Sequence, residues 1–368
     1  MTVEIIPAIR LPRGLGVFTY NVPKELEQEV CVGQIVQVSF RNKNINGVVI
    51  KKYSKKVIDD KKIKFIKKIL YTLPLVTKNQ IKLIQKISEY YAVSCAIVAR
   101  SFLPDIPKKY ISDNKQGTTR YNNKNKFKKQ LFWWLNLDEK NKKYLNIIKK
   151  NKNKQILILV PEIEMVDKMI KILKLDNNKN IFINHSHITG KLKYFKNWID
   201  ILSGKPKIII GTKISINLPF ANLGAVIIDD SHNWNYKQSD INPRFDARKV
   251  AEWIAEQEKC ELLLSTPAPS LEEYKQFLFC EGAKEEKKMT SLKIISLKQE
   301  HDSGNYSVFS ENLLSGIKST LYAKQQIFLL HNRKGMAGFV ECDDCKYVFK
   351  CPECDTLLVY YNETKKMH

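Results

Sequence analysis

Five short runs of continuous apolar residues mark the second half of the sequence and set its fold class. Stretches with helical spacing of apolar residues separate them. The runs are QILILV at 155–160, NIFIN at 180–184, KIIIG at 207–211, AVIID at 225–229 and ELLLS at 261–265. Strands of this kind are buried on both faces, because helices cover both sides of a parallel sheet. The sequence therefore predicts a doubly wound α/β domain.

The first part of the chain has two different patterns. Residues 1–58 contain short alternating segments broken by glycines, which predict a small β domain. Between residues 59 and 107 the spacing becomes helical, with Ile81, Ile84 and Ile87 on one face. We therefore expect a compact helical module after the β domain, and a chain of several domains that combines α+β and α/β architecture.

The positive charge of the chain is large and localised. The net charge is +24, and 21 of these charges come from residues 41–69 and 108–155. Residues 108–130, within the second stretch, are polar and rich in Asn and Lys, and they predict a basic linker. Lysine outnumbers arginine by 54 to 8, a bias that an AT-rich genome also produces. Because the charge is clustered, we predict a nucleic-acid partner.

Composition excludes other classes of protein. With 43% hydrophobic residues the chain is not disordered throughout. No apolar run approaches the roughly 18 residues that span a bilayer, and the N-terminal residues have no apolar signal core. We therefore expect a cytoplasmic protein without a membrane partner.

Four of the eight cysteines fall within the last 27 residues, as two C-x₂-C pairs. They are Cys342, Cys345, Cys351 and Cys354. Each pair can offer two thiolates to a tetrahedral Zn²⁺. The five residues between the pairs are few for closing one four-thiolate site, so bound zinc and unmetallated thiols both stay open. The other cysteines are isolated and predict no metal site.

Two adjacent carboxylates, Asp229 and Asp230, follow the fourth apolar run. The carboxyl ends of parallel strands are where α/β sheets bind ligands, and an aspartate there can hold the Mg²⁺ of a nucleotide. The alternative is that the pair caps the next helix. The two residues alone do not decide between these roles.

A series of motifs extends in order along nearly the whole sequence. They are LPR (11–13), FTY (18–20), VQVSF (36–40), ISEYYAVSCAIVARSFLP (87–104), VPEI (160–163), GTK (211–213), PFANLGAVIIDD (219–230), YKQ (236–238), PSLE (269–272) and HNRKG (331–335). In kind and order they resemble the PriA family of primosomal replication-restart helicases, also called primosomal protein N′.

The resemblance implies a function for each segment. Residues 1–58 would bind the 3′ end of a DNA strand, and 59–107 would form a winged-helix-like domain. Residues 131–300 would be a RecA-like helicase lobe of the P-loop NTPase type, and 301–368 the start of a second lobe with a truncated zinc-binding module. On the DNA side we predict contacts from Phe18, Tyr20, Arg41 and Lys43.

This sequence departs most from the family pattern at the phosphate-binding loop. The glycine-rich GxTGSGKT would fall near residues 134–141, which are WLNLDEKN. Without glycine, backbone N–H groups cannot converge closely on phosphate oxygens. Only Lys140 lies near the position of the family's lysine, and the carboxylates of Asp138 and Glu139 repel a triphosphate. We therefore expect Mg²⁺ and ATP to bind poorly.

The acidic motif departs as well. DEEH of the family is DDSH at 229–232, so Asp229 and Asp230 form a degenerate catalytic pair that we expect to be inactive. The resemblance also implies that nearly all of the second lobe, with an arginine of the hydrolysis site, would follow residue 368.

Three hypotheses follow. The first is a PriA-like protein that recognises forked or 3′-ended DNA in replication restart, has lost its ATPase and helicase activity, and meets other primosome or single-strand-binding proteins. The second is an active ATP-dependent 3′–5′ helicase. The third is a decayed gene product with only nonspecific DNA affinity.

Overall fold

The computed structural model describes residues 1–54, 63–110, 126–176, 178–187, 190–277, 292–330, 339–342, 344–362 and 364–367. The chain divides into two compact units, residues 1–286 and 287–368. None of the helices in these ranges is long and apolar enough to cross a membrane.

The first unit begins with an antiparallel sheet of five strands in the order β2-β1-β4-β3-β5. The strands are β1 (Thr2–Pro7), β2 (Phe18–Asn21), β3 (Ile35–Phe40), β4 (Lys43–Tyr53) and β5 (Ile66–Ile69). Val3, Ile5 and Val36 are fully buried in its core. Arg41 and Asn42 both have positive φ, as expected for the two-residue turn that joins strands with a right-handed twist.

Strand β5 corrects the prediction of helical structure from residue 59. It pairs antiparallel with β3, burying Ile66 and leaving two lysines exposed. The sequence IKKI has apolar residues at positions i and i+3, which a single helical turn also allows. Pairing with β3, and not the local pattern, decides the conformation.

Two helices follow this sheet, α1 (Lys78–Tyr90) and α2 (Cys95–Phe102). Thr77 and Gln80 form a capping box at the start of α1, satisfying backbone N–H groups that the helix leaves free. Ile81, Ile84 and Ile87 are buried, so the predicted helical face is confirmed.

The rest of the first unit is a six-stranded parallel sheet in the order β6-β11-β10-β7-β9-β8. The strands are β6 (Lys128–Trp133), β7 (Gln155–Leu159), β8 (Ile181–Asn184), β9 (Lys207–Gly211), β10 (Leu223–Ile228) and β11 (Glu261–Thr266). The helices are α3 (Leu137–Lys150), α4 (Glu164–Ile172), α5 (Lys191–Leu202), α6 (Ala247–Gln257) and α7 (Leu271–Gln276). Separate apolar clusters pack on the two faces of this sheet, so the predicted doubly wound α/β architecture is confirmed.

Strand β6 shows that the basic linker predicted for residues 108–130 ends before residue 130. The linker was expected to reach residue 130, but Lys128 to Gln130 pair with β11 at the edge of the sheet. An edge strand exposes one side to solvent and tolerates lysines there, so it lacks the continuous apolar run of the central strands. Residues 111–125 of the linker lie outside the described residues.

The antiparallel sheet, the two helices and the parallel sheet share buried contacts. One apolar cluster includes residues from all three parts. Trp198 Nε1 donates to the carbonyl oxygen of Leu75 at 2.9 Å, and Gln80 Nε2 donates to that of Asn217 at 2.7 Å, both in the interior. The modules are therefore joined by buried polar contacts as well as by the chain.

The second unit contains α8 (Leu297–Asp302), α9 (Glu311–Tyr322) and the short strands β12 (Tyr360–Tyr361) and β13 (Lys366–Met367). Residues 326–330, QIFLL, resemble the buried runs of the first unit but form no strand, and Phe328 is 88% exposed. A strand needs a paired neighbour, and none of the strands described in this unit pairs with these residues.

Gly211, at the end of β9, provides a test of the packing. A Cβ atom at this position overlaps the carbonyl oxygen of Asn184 and the hydroxyl of Ser215. We expect Gly211→Ala to destabilise the first unit by about 2–4 kcal/mol, because backbone must move to admit the methyl group. The free energy of unfolding in urea measures this.

Gly316→Ala is the matched control, since no atom lies within 4 Å of the added methyl group in α9. It should leave the unfolding of the first unit unchanged. Equal stabilities of the wild-type and Gly211→Ala proteins would show that the strand ends are packed less tightly than described.

Candidate functional site

The carboxyl ends of four neighbouring strands, β6, β11, β10 and β7, form one edge of the parallel sheet. Asp229 follows β10 at this edge and is 1% exposed. Its backbone N–H donates to the carbonyl oxygen of Leu159 at 2.9 Å, and Tyr236 donates its hydroxyl proton to the carbonyl oxygens of Leu159 and Asp229. This carboxylate is therefore fixed at the position where such sheets bind ligands.

Lys140 forms an ion pair with Asp229 inside the protein. Its Nζ lies 3.0 Å from Asp229 Oδ1, and the two side chains are 7% and 2% exposed. Tyr144 donates its hydroxyl proton to the same oxygen at 2.6 Å. Burial, with the Asp229 carboxylate, raises the pKa of Tyr144 well above its ordinary value, so the phenol keeps this proton. Two donors thus occupy one carboxylate oxygen.

The sequence of α3 explains this arrangement. Lys140, Tyr144 and Ile147 are spaced by four and three residues, so they lie on one helix face, and all three are buried. Asn136 caps the helix by accepting a hydrogen bond from the N–H of Asp138 at 2.8 Å. The helix starts soon after β6, which brings its first turn against β10.

The connection between β6 and α3 consists of residues 134–136 only. The segment in which the family resemblance places a phosphate-binding loop is therefore mostly the first turn of a helix. Trp134 is 9% exposed, and its ring centroid lies 4.7 Å from Lys140 Nζ, within the range of a cation–π contact. Asp138 and Glu139 are exposed at the N-terminus of the helix, where an anion would otherwise be favoured.

Asp230 has a different environment from its neighbour. Its φ is positive, and its Oδ1 is buried with no hydrogen-bond partner among the described residues. Burial, followed by repulsion from Asp229, raises its pKa, although Lys140 and His232 oppose the shift. His232 Nδ1 lies 2.8 Å from Thr266 Oγ1, which connects this turn to the end of β11. Asp230 is thus destabilised in its charged form.

The four predicted DNA contacts separate into an exposed and a buried set. Arg41 and Lys43 are exposed, and Phe18 is partly buried. The ring of Phe18 packs edge-on against that of Phe40 at 5.0 Å, and the Arg41 guanidinium lies 5.6 Å from the Phe40 ring centroid. Phe40 was not among the predicted DNA contacts, although it is the last residue of the VQVSF motif and lies next to the β3–β4 turn.

Tyr20 does not fit the predicted role. Its side chain is in the core of the antiparallel sheet and 4% exposed, so its ring is not available to stack on a base. Burial also raises the pKa of its hydroxyl. The alternation of β2 directs the ring into the core, and short aromatic motifs do not reveal which face of a strand is buried.

The four C-terminal cysteines form two similar turns. Cys342 N–H donates to Tyr347 O at 2.9 Å, and Cys351 N–H donates to Thr356 O at 2.8 Å. Hydrogen bonds from backbone N–H groups, first that of Cys345, lower the pKa of Cys342, and a bond with Thr356 lowers that of Cys354. In the described part of the chain, no three potential ligands converge on one point. The cysteines thus form two dithiol turns, and bound zinc and unmetallated thiols stay alternative predictions for them.

Two loop histidines and three isolated cysteines lie elsewhere in the described residues. His185 and His187 are neighbours in a loop, where the N–H of His187 donates to Nδ1 of His185 at 3.3 Å. Cys31 and Cys95 are partly buried, and Cys260 is buried. The HNRKG motif and Cys280 lie outside the described residues.

The buried ion pair can be tested with a double-mutant cycle. We expect Lys140→Met to destabilise the first unit by about 3–5 kcal/mol, because it leaves the Asp229 carboxylate buried without its cation. Adding Asp229→Asn should recover at least about 2 kcal/mol of this loss. Urea unfolding of the four proteins gives the coupling energy.

Lys142→Met, on the exposed side of α3, is the matched control and should change the stability by less than about 0.5 kcal/mol. Additive effects of the two substitutions would contradict a direct Lys140–Asp229 interaction.

Asp230 leads to a prediction about pH. A carboxyl whose pKa is raised by folding favours the folded state at low pH, and this contribution is lost as the pH rises through the raised pKa. Asp230→Asn should therefore raise the melting temperature near pH 7 and lose this advantage below the ordinary pKa of 3.8. Thermal melts of both proteins between pH 3.5 and 7.5 measure this difference in melting temperature, with Asp240→Asn at an exposed position as the control. A difference that does not change with pH would be inconsistent with titration of Asp230.

Comparisons with known proteins support the family resemblance. Residues 8–104 match the family model described as the 3′DNA-binding domain (3′BD) of PriA. This match takes in most of the antiparallel sheet together with α1 and α2. The winged-helix-like domain predicted for 59–107 stays a prediction.

Full-length relatives agree. Replication restart protein PriA of Rickettsia prowazekii is 30% identical over 380 aligned positions, covering 95% of this chain and 56% of the relative. The protein of the same name from Rickettsia conorii is 29% identical over 379 positions with the same coverage. That of Bacillus subtilis is 32% identical over 236 positions, covering 61% of this chain and 29% of the relative. The chain thus spans about half the length of the Rickettsia proteins.

Solved structures give weaker likenesses. An XPD helicase has a TM-score of 0.27 and 14% identity, covering 42% of this chain and 35% of that one. The E. coli DExH-box NTPase HrpB has a TM-score of 0.28 and 10% identity, covering 44% and 21%. Neither is close enough to support an argument about chemistry. The family resemblance rests on the sequence relatives and is confirmed by them: the chain is PriA-like over 95% of its length, and residues 8–104 match the model of that family's 3′DNA-binding domain.

Proposed function

We propose that this protein binds forked or single-stranded DNA in replication restart and does not turn over ATP. The observation that carries the proposal is the buried ion pair between Lys140 and Asp229. It uses the cation and the carboxylate that the family resemblance assigns to the phosphates and Mg²⁺.

Nucleotide binding would require this cluster to open. Lys140 would have to leave Asp229, and the Asp229 oxygen would have to lose the Tyr144 hydroxyl, before a metal ion met a free carboxylate. The charge of Lys140 would also leave its contact with Trp134. A buried charge left without its partner costs about 3–5 kcal/mol, so the pair can open only if phosphate and Mg²⁺ replace both partners. The short β6–α3 connection offers no glycine-rich backbone to offset that cost.

DNA binding has independent support. The match to the 3′DNA-binding domain covers the N-terminal sheet, where Arg41 and Lys43 are exposed beside the Phe18–Phe40 ring pair. Arginine and aromatic side chains at one surface suit a strand that offers both phosphates and unpaired bases. The net charge of +24 adds a general attraction for polyanions.

The alternative function, an ATP-driven helicase, is favoured by one feature. Asp229 keeps the side chain and the strand-end position of a magnesium ligand. That alternative requires Lys140 to exchange Asp229 for a phosphate when nucleotide binds. Only the helicase would release phosphate from ATP.

Binding and hydrolysis measured together test the proposal. By fluorescence anisotropy we expect a fork with a free 3′ end to bind at least tenfold more tightly than blunt duplex, with affinity falling steeply between 0.05 and 0.2 M salt. A fork whose 3′ end carries a phosphate is the matched control and should bind more weakly. The same DNA should not stimulate phosphate release from ATP.

Two results would contradict the proposal. DNA-stimulated phosphate release that Asp229→Asn abolishes would establish the helicase alternative. Equal affinity for forked and blunt DNA would indicate binding by charge alone, as expected of a decayed gene product.

A further inference from the structure

A cleft of about 630 Å³ lies where the N-terminal segment, α2 and the parallel-sheet domain meet. Arg10 contributes from the segment after β1, and Ile97 and Arg100 contribute from α2. The third wall is formed by Ile214, Asn217 and residues 238–245. It is separate from the Lys140–Asp229 cluster and from the Phe18–Phe40 surface, none of whose residues line it.

The arginines of this cleft are informative because arginine is scarce in this chain. Lysine supplies positive charge almost everywhere, so an arginine marks a position where the planar guanidinium matters. Arg248, for example, holds Asp246 with two nitrogens and donates to Ser231 O at 2.8 Å. Arg10 and Arg100 are exposed and form no ion pair within the described residues. Two fork-shaped donors thus stand at one cleft with their hydrogen-bonding groups available to a ligand.

Asn217 adds a second, independent observation. It is 8% exposed, it lines the cleft, and its side-chain oxygen has no hydrogen-bond partner among the described residues. Its backbone is held in place because its carbonyl oxygen accepts the buried hydrogen bond from Gln80. A buried amide without a partner is unfavourable by about 1–3 kcal/mol, which a ligand group can offset. A base N–H can satisfy it, because the amide oxygen needs a donor.

The third wall is built to keep its shape. Gln238 Nε2 donates to the carbonyl oxygens of Ile241 and Pro243, at 2.8 Å each, and so fastens the loop that forms this wall. Ile97, Ile214 and Phe245 supply apolar surface. Unpaired bases can enter a cleft with apolar walls and guanidinium groups, whereas the bases of a duplex are stacked inside it. Asp240 is the one carboxylate in the lining.

We infer that this cleft binds a single DNA strand, with Arg10 and Arg100 on backbone phosphates and the Asn217 side-chain oxygen accepting a hydrogen bond from a base. The inference rests on the proposed function, because it gives the bound strand a path from the N-terminal domain to the parallel-sheet domain. Asp240 weakens the site through repulsion of phosphate.

Binding of a fluorescein-labelled 20-nucleotide oligothymidine tests the cleft. Arg10→Ala/Arg100→Ala should bind about tenfold more weakly in 0.1 M salt, and the slope of log K against log salt should fall by about 1.4, as expected for two lost contacts to single-stranded DNA. Arg10→Lys/Arg100→Lys should recover only part of the affinity, because lysine restores the charge but not the planar guanidinium group. Asp240→Asn should bind more tightly.

Lys168→Ala/Lys171→Ala is the matched control, because it removes the same charge from exposed positions outside the cleft and outside the two basic stretches. It should change the affinity by less than about twofold, and thermal melts confirm that all variants are folded. Equal losses for the arginine and lysine pairs would overturn the cleft while leaving the proposed function intact. If the wild-type protein binds neither this strand nor forked DNA, both the cleft proposal and the proposed function are contradicted.

Discussion

The buried contact between Lys140 and Asp229 determines how the edge of the parallel sheet is organised. Neither charge can lie in the interior without a partner, so α3 must stand where its fourth residue reaches the end of β10. Tyr144 reinforces the contact from the next turn, and Trp134 covers the ammonium group. The groups that a nucleotide would use are therefore already satisfied by each other. The short β6–α3 connection and the pairing of Asp229 with Lys140 are two results of one packing arrangement.

The first unit also contains the N-terminal domain that matches the family's 3′DNA-binding domain. The antiparallel sheet, α1 and α2 share a core with the parallel sheet, and the buried contacts of Trp198 and Gln80 tie them together. A DNA strand held by the N-terminal domain would therefore meet the parallel-sheet domain at a fixed position. The cleft with Arg10, Arg100 and Asn217 lies at this junction. In this account the parallel-sheet domain contributes surface and rigidity, without needing nucleotide.

Much of the fold could be predicted from the sequence, because central parallel strands require continuous apolar residues. Strands β7, β9, β10 and β11 follow that rule, as does β8 at the other edge of the sheet. Strands β5 and β6 do not, and pairing with β3 and β11 stabilises them. The candidate site was harder to predict from the sequence. Motif order identified Lys140 and Asp229, but only tertiary packing shows that they bind each other. Tyr144 was missed although it lies four residues after Lys140, and Tyr20 was assigned to DNA although its strand face is buried.

The most direct measurement is equilibrium binding of a fluorescent nonhydrolysable ATP analogue with Mg²⁺, in the presence and absence of a forked DNA. The account predicts no saturable binding up to millimolar analogue, because Lys140 stays with Asp229 and no glycine-rich backbone surrounds the phosphates. Saturable micromolar binding that requires Mg²⁺ and disappears in Asp229→Asn would contradict it, since the carboxylate would then be free to hold the metal ion.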